Sequence, residues 1–353
     1  MNEVAGKRYV PILRSRDAEV RAYAELSESV KDTLLPVIEF TKSRRTSKNK
    51  EGSVGLCVAK VEERLAGRPY IADVTTMESL SNAETAILLD PENAFRKWRG
   101  FVLSSLDSAC IPVVHLTDPL DEKSVLAQTQ AFLNRSTHIA LRIPADYDAT
   151  SRLFTLLRRE LGDLGRVVLI CDGGYVTKQN YASVRRECKL TLDAAGDGFA
   201  LRAVACSSFP ISVVLPDYGG DAYGKFDLLE VKLSEDLKSE PALTNLVHGD
   251  YGLVHPGDFK GIVTRWVPRV DVPLNEELFY HRYRQDDGGY ETAARKAYAD
   301  PAYIALKCWG HENIKSAAAG ILQGRSPAHW ISVRVNFHLT RQSNRVELAY
   351  LLG

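Results

Sequence analysis

No stretch of this chain approaches the roughly 20 consecutive apolar residues of a membrane-spanning helix. The opening residues, MNEVAGKRYV, lack the apolar core of a secretory leader. Charge of one sign is missing too: 45 basic side chains face 45 acidic ones, so no global field draws the chain to nucleic acid or membrane. Six cysteines, at 57, 110, 171, 188, 206 and 308, form no Cys-x-x-Cys or Cys-x-His pair. That spacing gives no zinc motif and no disulfide framework, and buried reduced thiols are expected. GGDAYGK (219–225) meets neither the Walker nor the GxGxxG pattern and reads as a turn, and Ser207 and Ser208 lack the GxSxG elbow. The composition fits a cytoplasmic globular protein whose chemistry must come from local constellations.

What is present is a rhythm. Eight short apolar runs recur: KRYVPILR (7–14), LLPVIEF (34–40), YIADV (70–74), CIPVVHL (110–116), HIALRIP (138–144), RVVLICD (166–172), LRAVACSS (201–208) and YGLVHP (251–256). Connections of roughly 15 to 45 residues separate them, too long for tight hairpins and suited to parallel crossovers. Several, such as SRDAEVRAYAELSESVKDTL and TSRLFTLLRRELGDLG, carry helical periodicity. Strand and helix alternating eight times predict a (β/α)8 TIM-like barrel over residues 1–260.

Residues 261–353 are expected to form a C-terminal α+β extension packed on the barrel. There NEELFYHRYR, YETAARKAYAD and HENIKSAAAGILQG read as helices, and WISVRVNFHL alternates like a strand. The long connection 209–250 is expected to form a lid or inserted hairpin over the barrel mouth.

YVPILRSRDAEVRAYAEL…LLPVIEF at the start, HGDYGLVHP, and CWGHENIKSAAAG…SPAHWISVRVNFHL near the end together resemble the phage T4-type Beta protein family. The resemblance spans nearly the whole chain. It implies one full-length unit in a phage, mobile-element or antiviral-defence setting, and it carries no settled reaction.

The chemistry therefore has to be read from the strand ends, which in such a barrel converge on one mouth. They are Arg14, Glu39, Asp73, His115, Arg142, Asp172, Ser207 and His255. Glu39, Asp73 and Asp172 are the carboxylates expected to hold Mg²⁺ or Mn²⁺, or to serve as acid and base; the plainer alternative is ion pairing with Arg14 and Arg142. Arg14 and Arg142 suit a phosphate, and His115 suits protonation of a leaving group. The loop KSRRTSKNK (42–50) adds Lys42, Arg44, Arg45, Lys48 and Lys50 after Glu39, a phosphate-capturing set or a solvated loop. The leading expectation is a hydrolase or phosphodiesterase acting on a phosphorylated small molecule, nucleotide or nucleic acid. The rival is a non-enzymatic accessory protein that binds a protein partner or nucleic acid.

Overall fold

Residues 4–213, 222–258 and 266–352 are described by the computed structural model. Most of the expected runs become strands: β1 (Tyr9–Arg14), β2 (Val37–Phe40), β3 (Tyr70–Val74), β4 (Cys110–Pro112), β5 (Ile139–Pro144), β6 (Val167–Tyr175) and β7 (Leu201–Ser207). After β8 (Tyr223–Asp227), which joins another sheet, β9 (Val247–Asp250) completes the set. The sheet order is β4-β3-β2-β1-β9-β7-β6-β5, and each of its neighbouring pairs is parallel. A parallel bridge between Val113 and Ala140 links the two edge strands, so the sheet is a nearly closed barrel.

Helices fill the crossovers: α1 (Asp17–Ala24), α2 (Glu28–Thr33), α3 (Val54–Leu65), α4 (Ala83–Leu88), α5 (Glu92–Ser105), α6 (Glu122–Leu133), α7 (Thr150–Leu161), α8 (Tyr181–Ala195) and α9 (Leu229–Lys238). The period-two alternation of the strands sorts side chains into two apolar layers. Val10, Ile12, Val37, Ile71, Val113, Ala140, Ile170 and Ala205 share the barrel interior. Tyr9, Leu13, Ile38, Phe40 and Leu141 belong to the larger core beneath the helices. Both faces of each strand are buried, which is why the strands read as nearly unbroken apolar runs.

The eighth strand is not at 251–256 as expected but four residues earlier, at Val247–Asp250. Its sequence, VHGD, is too polar to stand out as a buried strand. Gly249 is required there, because a Cβ would lie 2.8 Å from the Val10 carbonyl and 3.0 Å from that of Val204. Residues 251–256 instead turn away, with Gly252 and Leu253 left-handed at φ 57° and 60°.

The remaining chain forms β10 (Arg269–Pro273), β11 (Glu277–Arg282), α10 (Gly289–Tyr298), α11 (Trp309–Ala318) and α12 (Pro327–Leu352). Two expectations are corrected here. NEELFYHRYR contains a strand, β11, paired antiparallel with β10 and with β8; its four central residues are buried, which suits aromatic and branched side chains on a sheet. WISVRVNFHL is not a strand but part of α12, whose polar Arg334, Asn336 and His338 are as buried as Val335, Phe337 and Leu339. The apparent alternation came from polar residues that face protein rather than water.

The connection 209–250 supplies β8 and the crossover helix α9. The first part of GGDAYGK and the expected boundary at 260 lie outside the described residues, whereas Tyr223, Gly224 and Lys225 stand in β8. No helix among the described residues is long and apolar enough to cross a membrane.

Candidate functional site at the barrel mouth

One step beyond the apolar interior, the next inward-facing position on each strand is polar. Ile12, Val37, Ile71, Val113, Ala140, Ile170, Ala205 and Gly249 are followed two residues later by Arg14, Glu39, Asp73, His115, Arg142, Asp172, Ser207 and Tyr251. The register places Arg14 beside Glu39 and Glu39 beside Asp73. Seven of these eight were legible as strand ends. Tyr251 was missed in favour of His255, because the eighth strand was displaced; its parity with Val247 and Gly249 is the signal that would have found it.

Arg142 is the hub. Its Nη1 donates to Glu39 Oε1 at 2.6 Å and to Asp73 Oδ2 at 3.0 Å, and its Nε donates to Asp172 Oδ2 at 2.8 Å. Nη2 reaches Asp172 Oδ2 at 2.8 Å and the Tyr251 hydroxyl at 3.0 Å. Four of the five N–H donors of the guanidinium are thus hydrogen-bonded, and Nη2 is in addition ion-paired with Asp172. Tyr251 in turn donates to Asp172 at 2.7 Å. Burial opposes the charge on Arg142, but Tyr251 and the three carboxylates outweigh it and raise its pKa. Burial, then Asp172, raises the Tyr251 pKa and keeps the hydroxyl a donor.

The carboxylates are fixed from behind as well. Asp73 Oδ1 accepts from Val74 N at 2.8 Å and lies 3.2 Å from His115 Nε2. Burial alone would raise its pKa; the His115 hydrogen bond and the Arg142 charge prevail and bring it from 3.8 to about 2. Asp172 Oδ1 accepts from Gly174 N at 2.9 Å, where β6 is irregular in register. A Cβ on the intervening Gly173 would lie 2.9 Å from Val184, so the bulge that aims Asp172 inward admits no side chain there.

His115 is clamped on all sides. Gln128 accepts from its backbone N–H at 3.0 Å and donates to its carbonyl at 2.9 Å. Trp98 stacks on the imidazole at 4.9 Å, with an interplanar angle of 12°. Two buried atoms in the layer have no hydrogen-bond partner, His115 Nδ1 and Glu39 Oε2. The nearest ion-pair partner of Glu39 Oε2 is Arg14 Nε, 3.7 Å away.

Glu39, Asp73, His115, Arg142 and Asp172 line a cavity of about 860 Å³. Arg14 stands behind Glu39 and donates to the His255 carbonyl at 2.6 Å. Lys42 donates to the Ser81 carbonyl at 2.9 Å, while Arg44 and Arg45 are exposed in their loop; none of the three lines the cavity. Among the described residues, no group of three His, Cys, Asp or Glu side chains is placed to hold a metal ion. The guanidinium of Arg142 lies among the three carboxylates expected to ligate one.

A mixed α/β chain with a nearly closed parallel barrel sheet and a charged layer at the C-terminal strand ends is the class of protein these features define. The chain belongs to the Beta protein family, whose family model matches residues 9–344. It is 29% identical over 340 residues to "Protein beta" of Enterobacteria phage P4, which covers 95% of this chain and 92% of that protein.

Proposed function

We propose that the chain is a phage-associated enzyme built on a TIM-type (β/α)8 barrel, with acid–base chemistry, hydrolysis above all, at the barrel mouth. A T4-type placement within the family rests on the sequence motifs alone. The observation that carries the reading is the pairing of a substantial cavity with buried titratable groups. Such groups are costly to bury, and their concentration in a cavity marks functional sites. His115, oriented by Asp73 and held by Trp98 and Gln128, is the proton donor or acceptor. Glu39, with one oxygen that accepts no hydrogen bond, is the second proton-transfer group. Arg142 holds the carboxylates in place.

Mg²⁺ or Mn²⁺ on Glu39, Asp73 and Asp172 fits this arrangement poorly, because Arg142 already donates to all three; no step is assigned to a metal. A phosphate grip by Arg142 is disfavoured on the same ground, since most of its donors already have acceptors and three carboxylates surround it. The six free cysteines agree with a cytoplasmic, reducing location.

The test is turnover of the full chain against a panel of hydrolysable small molecules and nucleotides. His115→Asn and Glu39→Gln should each lower turnover roughly a hundredfold, the scale of lost acid–base catalysis. Both variants should lose some stability, because Glu39 pairs with Arg142 and Arg14 and His115 holds Asp73, but should remain folded by circular dichroism at the assay temperature. Turnover unchanged in both variants overturns the assignment.

A second reading, nucleic-acid or partner binding, draws on one observation: Arg44, Arg45, Lys48 and Lys50 are exposed on the loop that follows β2. Neutralising these four together with Lys42 should weaken retention on DNA and flatten the dependence of log K on log salt by roughly 0.9 per lost phosphate contact. Identical salt slopes for parent and variant would leave the loop to solvent.

A further inference from the structure

We propose that residues 91–95 form a gate over His115, latched shut by Arg99 in a left-handed turn and opened when that turn rewinds as the first turn of a right-handed α5. The inference rests on the mouth being a catalytic site with His115 as its proton-transfer group, and it adds how access to that group is controlled.

The backbone carries the first observation. Asn93, Ala94 and Phe95 have φ of 52°, 59° and 52° and ψ of 44°, 52° and 46°, and none of them is glycine. The left-handed form of an L-residue is disfavoured roughly five- to thirtyfold, so three in a row need an external hold. The sequence itself favours the opposite hand. Asp90-Pro91-Glu92 is the pattern that starts a right-handed helix: a capping side chain, proline at the first position and an acid in the first turn. Asp90 Oδ1 already accepts from Glu92 N at 3.0 Å, as a cap does. Beyond Phe95 the helix keeps right-handed dihedrals. Two arrangements of one turn therefore compete, and the local sequence prefers the one not adopted.

Arg99 supplies the hold. Its Nε donates to the Ala94 carbonyl at 2.9 Å and its Nη2 to the Asn93 carbonyl at 2.8 Å. In a right-handed start those carbonyls would accept instead from the backbone N–H groups of Trp98 and Lys97, and Arg99 would be released. The latched turn closes directly on the site. Leu89, Pro91 and Phe95 line the cavity, and the Phe95 ring packs on the His115 imidazole at 5.4 Å with the planes 76° apart. Phe95 is buried, whereas residues 90–93 are exposed, so rewinding moves surface chain and withdraws one ring. His115 Nδ1, buried without a hydrogen-bond partner in the latched form, would then reach water or substrate.

Diethyl pyrocarbonate acylates an accessible imidazole nitrogen, so the labelling rate of His115 in peptide maps of the full-length chain reads the gate. Labelling is compared well below each variant's urea midpoint, where global unfolding does not contribute. Arg99→Met should speed it roughly tenfold or more, the loss of two charge-assisted hydrogen bonds. Ala94→Gly should slow it roughly tenfold, in the parent and in the Arg99→Met background alike, because glycine accepts a positive φ freely and extends a right-handed helix poorly. That sign separates rewinding from fraying, which a glycine would speed. Unchanged labelling in Arg99→Met, or labelling in Ala94→Gly that is unchanged or faster, overturns the proposal. If labelling follows the expected pattern while His115→Asn leaves turnover intact, the gate stands and the catalytic reading of His115 fails. If labelling ignores both variants while His115→Asn lowers turnover, only the gate falls.

Discussion

Replacing Arg142 with methionine should destabilise the fold by about 3–5 kcal/mol at neutral pH, the range for a buried ion pair broken from one side. The variant removes the cation that donates to Glu39, Asp73 and Asp172 and leaves three carboxylates facing one another in a part-buried layer. Like charges so placed hold their protons more tightly, so acidification should relieve the variant. The parent moves the other way. Asp73, depressed from 3.8 to about 2, contributes stability that is complete above 3.8 and is lost as pH falls towards 2. The gap between parent and variant in urea midpoint should therefore be widest near pH 7 and should close between pH 4 and 2. A gap below about 1 kcal/mol at neutral pH would show that the network behaves like exposed ion pairs. Arg142→Lys should recover only part of the loss, because an ammonium cannot present the planar fork that reaches three carboxylates and Tyr251 at once.

Much of this network was legible before the fold was known. Parallel strands covered on both faces produce apolar runs, and a run that ends in a charged residue announces where the interior meets the mouth. Glu39, Asp73, His115, Arg142 and Asp172 follow from that rule alone. What it could not supply is who pairs with whom. Arg142 on β5 meets Glu39 on β2 because the barrel brings nearly opposite strands together, a contact that no local spacing encodes. Two of the misread parts, the eighth strand and α12, share one cause, a seam of polar side chains buried where β9 and α12 pack and satisfied within the protein. His248 and Asp250 broke the apolar pattern of the eighth strand and hid Tyr251. Arg334, Asn336 and His338 gave the helix that covers the seam the look of an alternating strand. Burial periodicity is read from hydrophobicity, and it fails where polar residues are buried and satisfied by one another.

The same seam yields a second large effect. Asp250 is 1% exposed and accepts from the Tyr9 hydroxyl at 2.8 Å and from Gly252 N at 2.8 Å. His338 Nε2 on α12 lies 2.7 Å from its Oδ2. Burial would raise its pKa, but His338 and His248 outweigh that and hold the carboxylate ionised. Asp250→Asn sets an amide N–H₂ against groups that are themselves donors, and should cost about 3–5 kcal/mol by denaturant midpoint. It also frees the left-handed Gly252–Leu253 turn that fixes Tyr251, so Tyr251 should lose its hold on Arg142 and Asp172. His338→Gln should give a smaller loss of the same kind.

The pH dependence separates the neighbouring groups. Burial lowers the His248 pKa from 6.5 to about 4, so below 6.5 the unfolded chain takes up a proton that the native chain refuses. Stability therefore falls as pH drops from 6.5 to 4. Glu230, on α9 and raised by burial from 4.5 to about 7, acts in the opposite sense and loses stability as pH rises through that window. The two slopes offset each other in the parent. His248→Phe keeps the stacking against Tyr9, whose ring lies 5.5 Å away, and should gain on the parent as pH falls from 6.5 to 4. Glu230→Gln should gain on the parent as pH rises from 4.5 to 7. Parallel stability curves for either variant and the parent would mean that the corresponding group has the same pKa folded and unfolded, and that the seam is hydrated rather than dry.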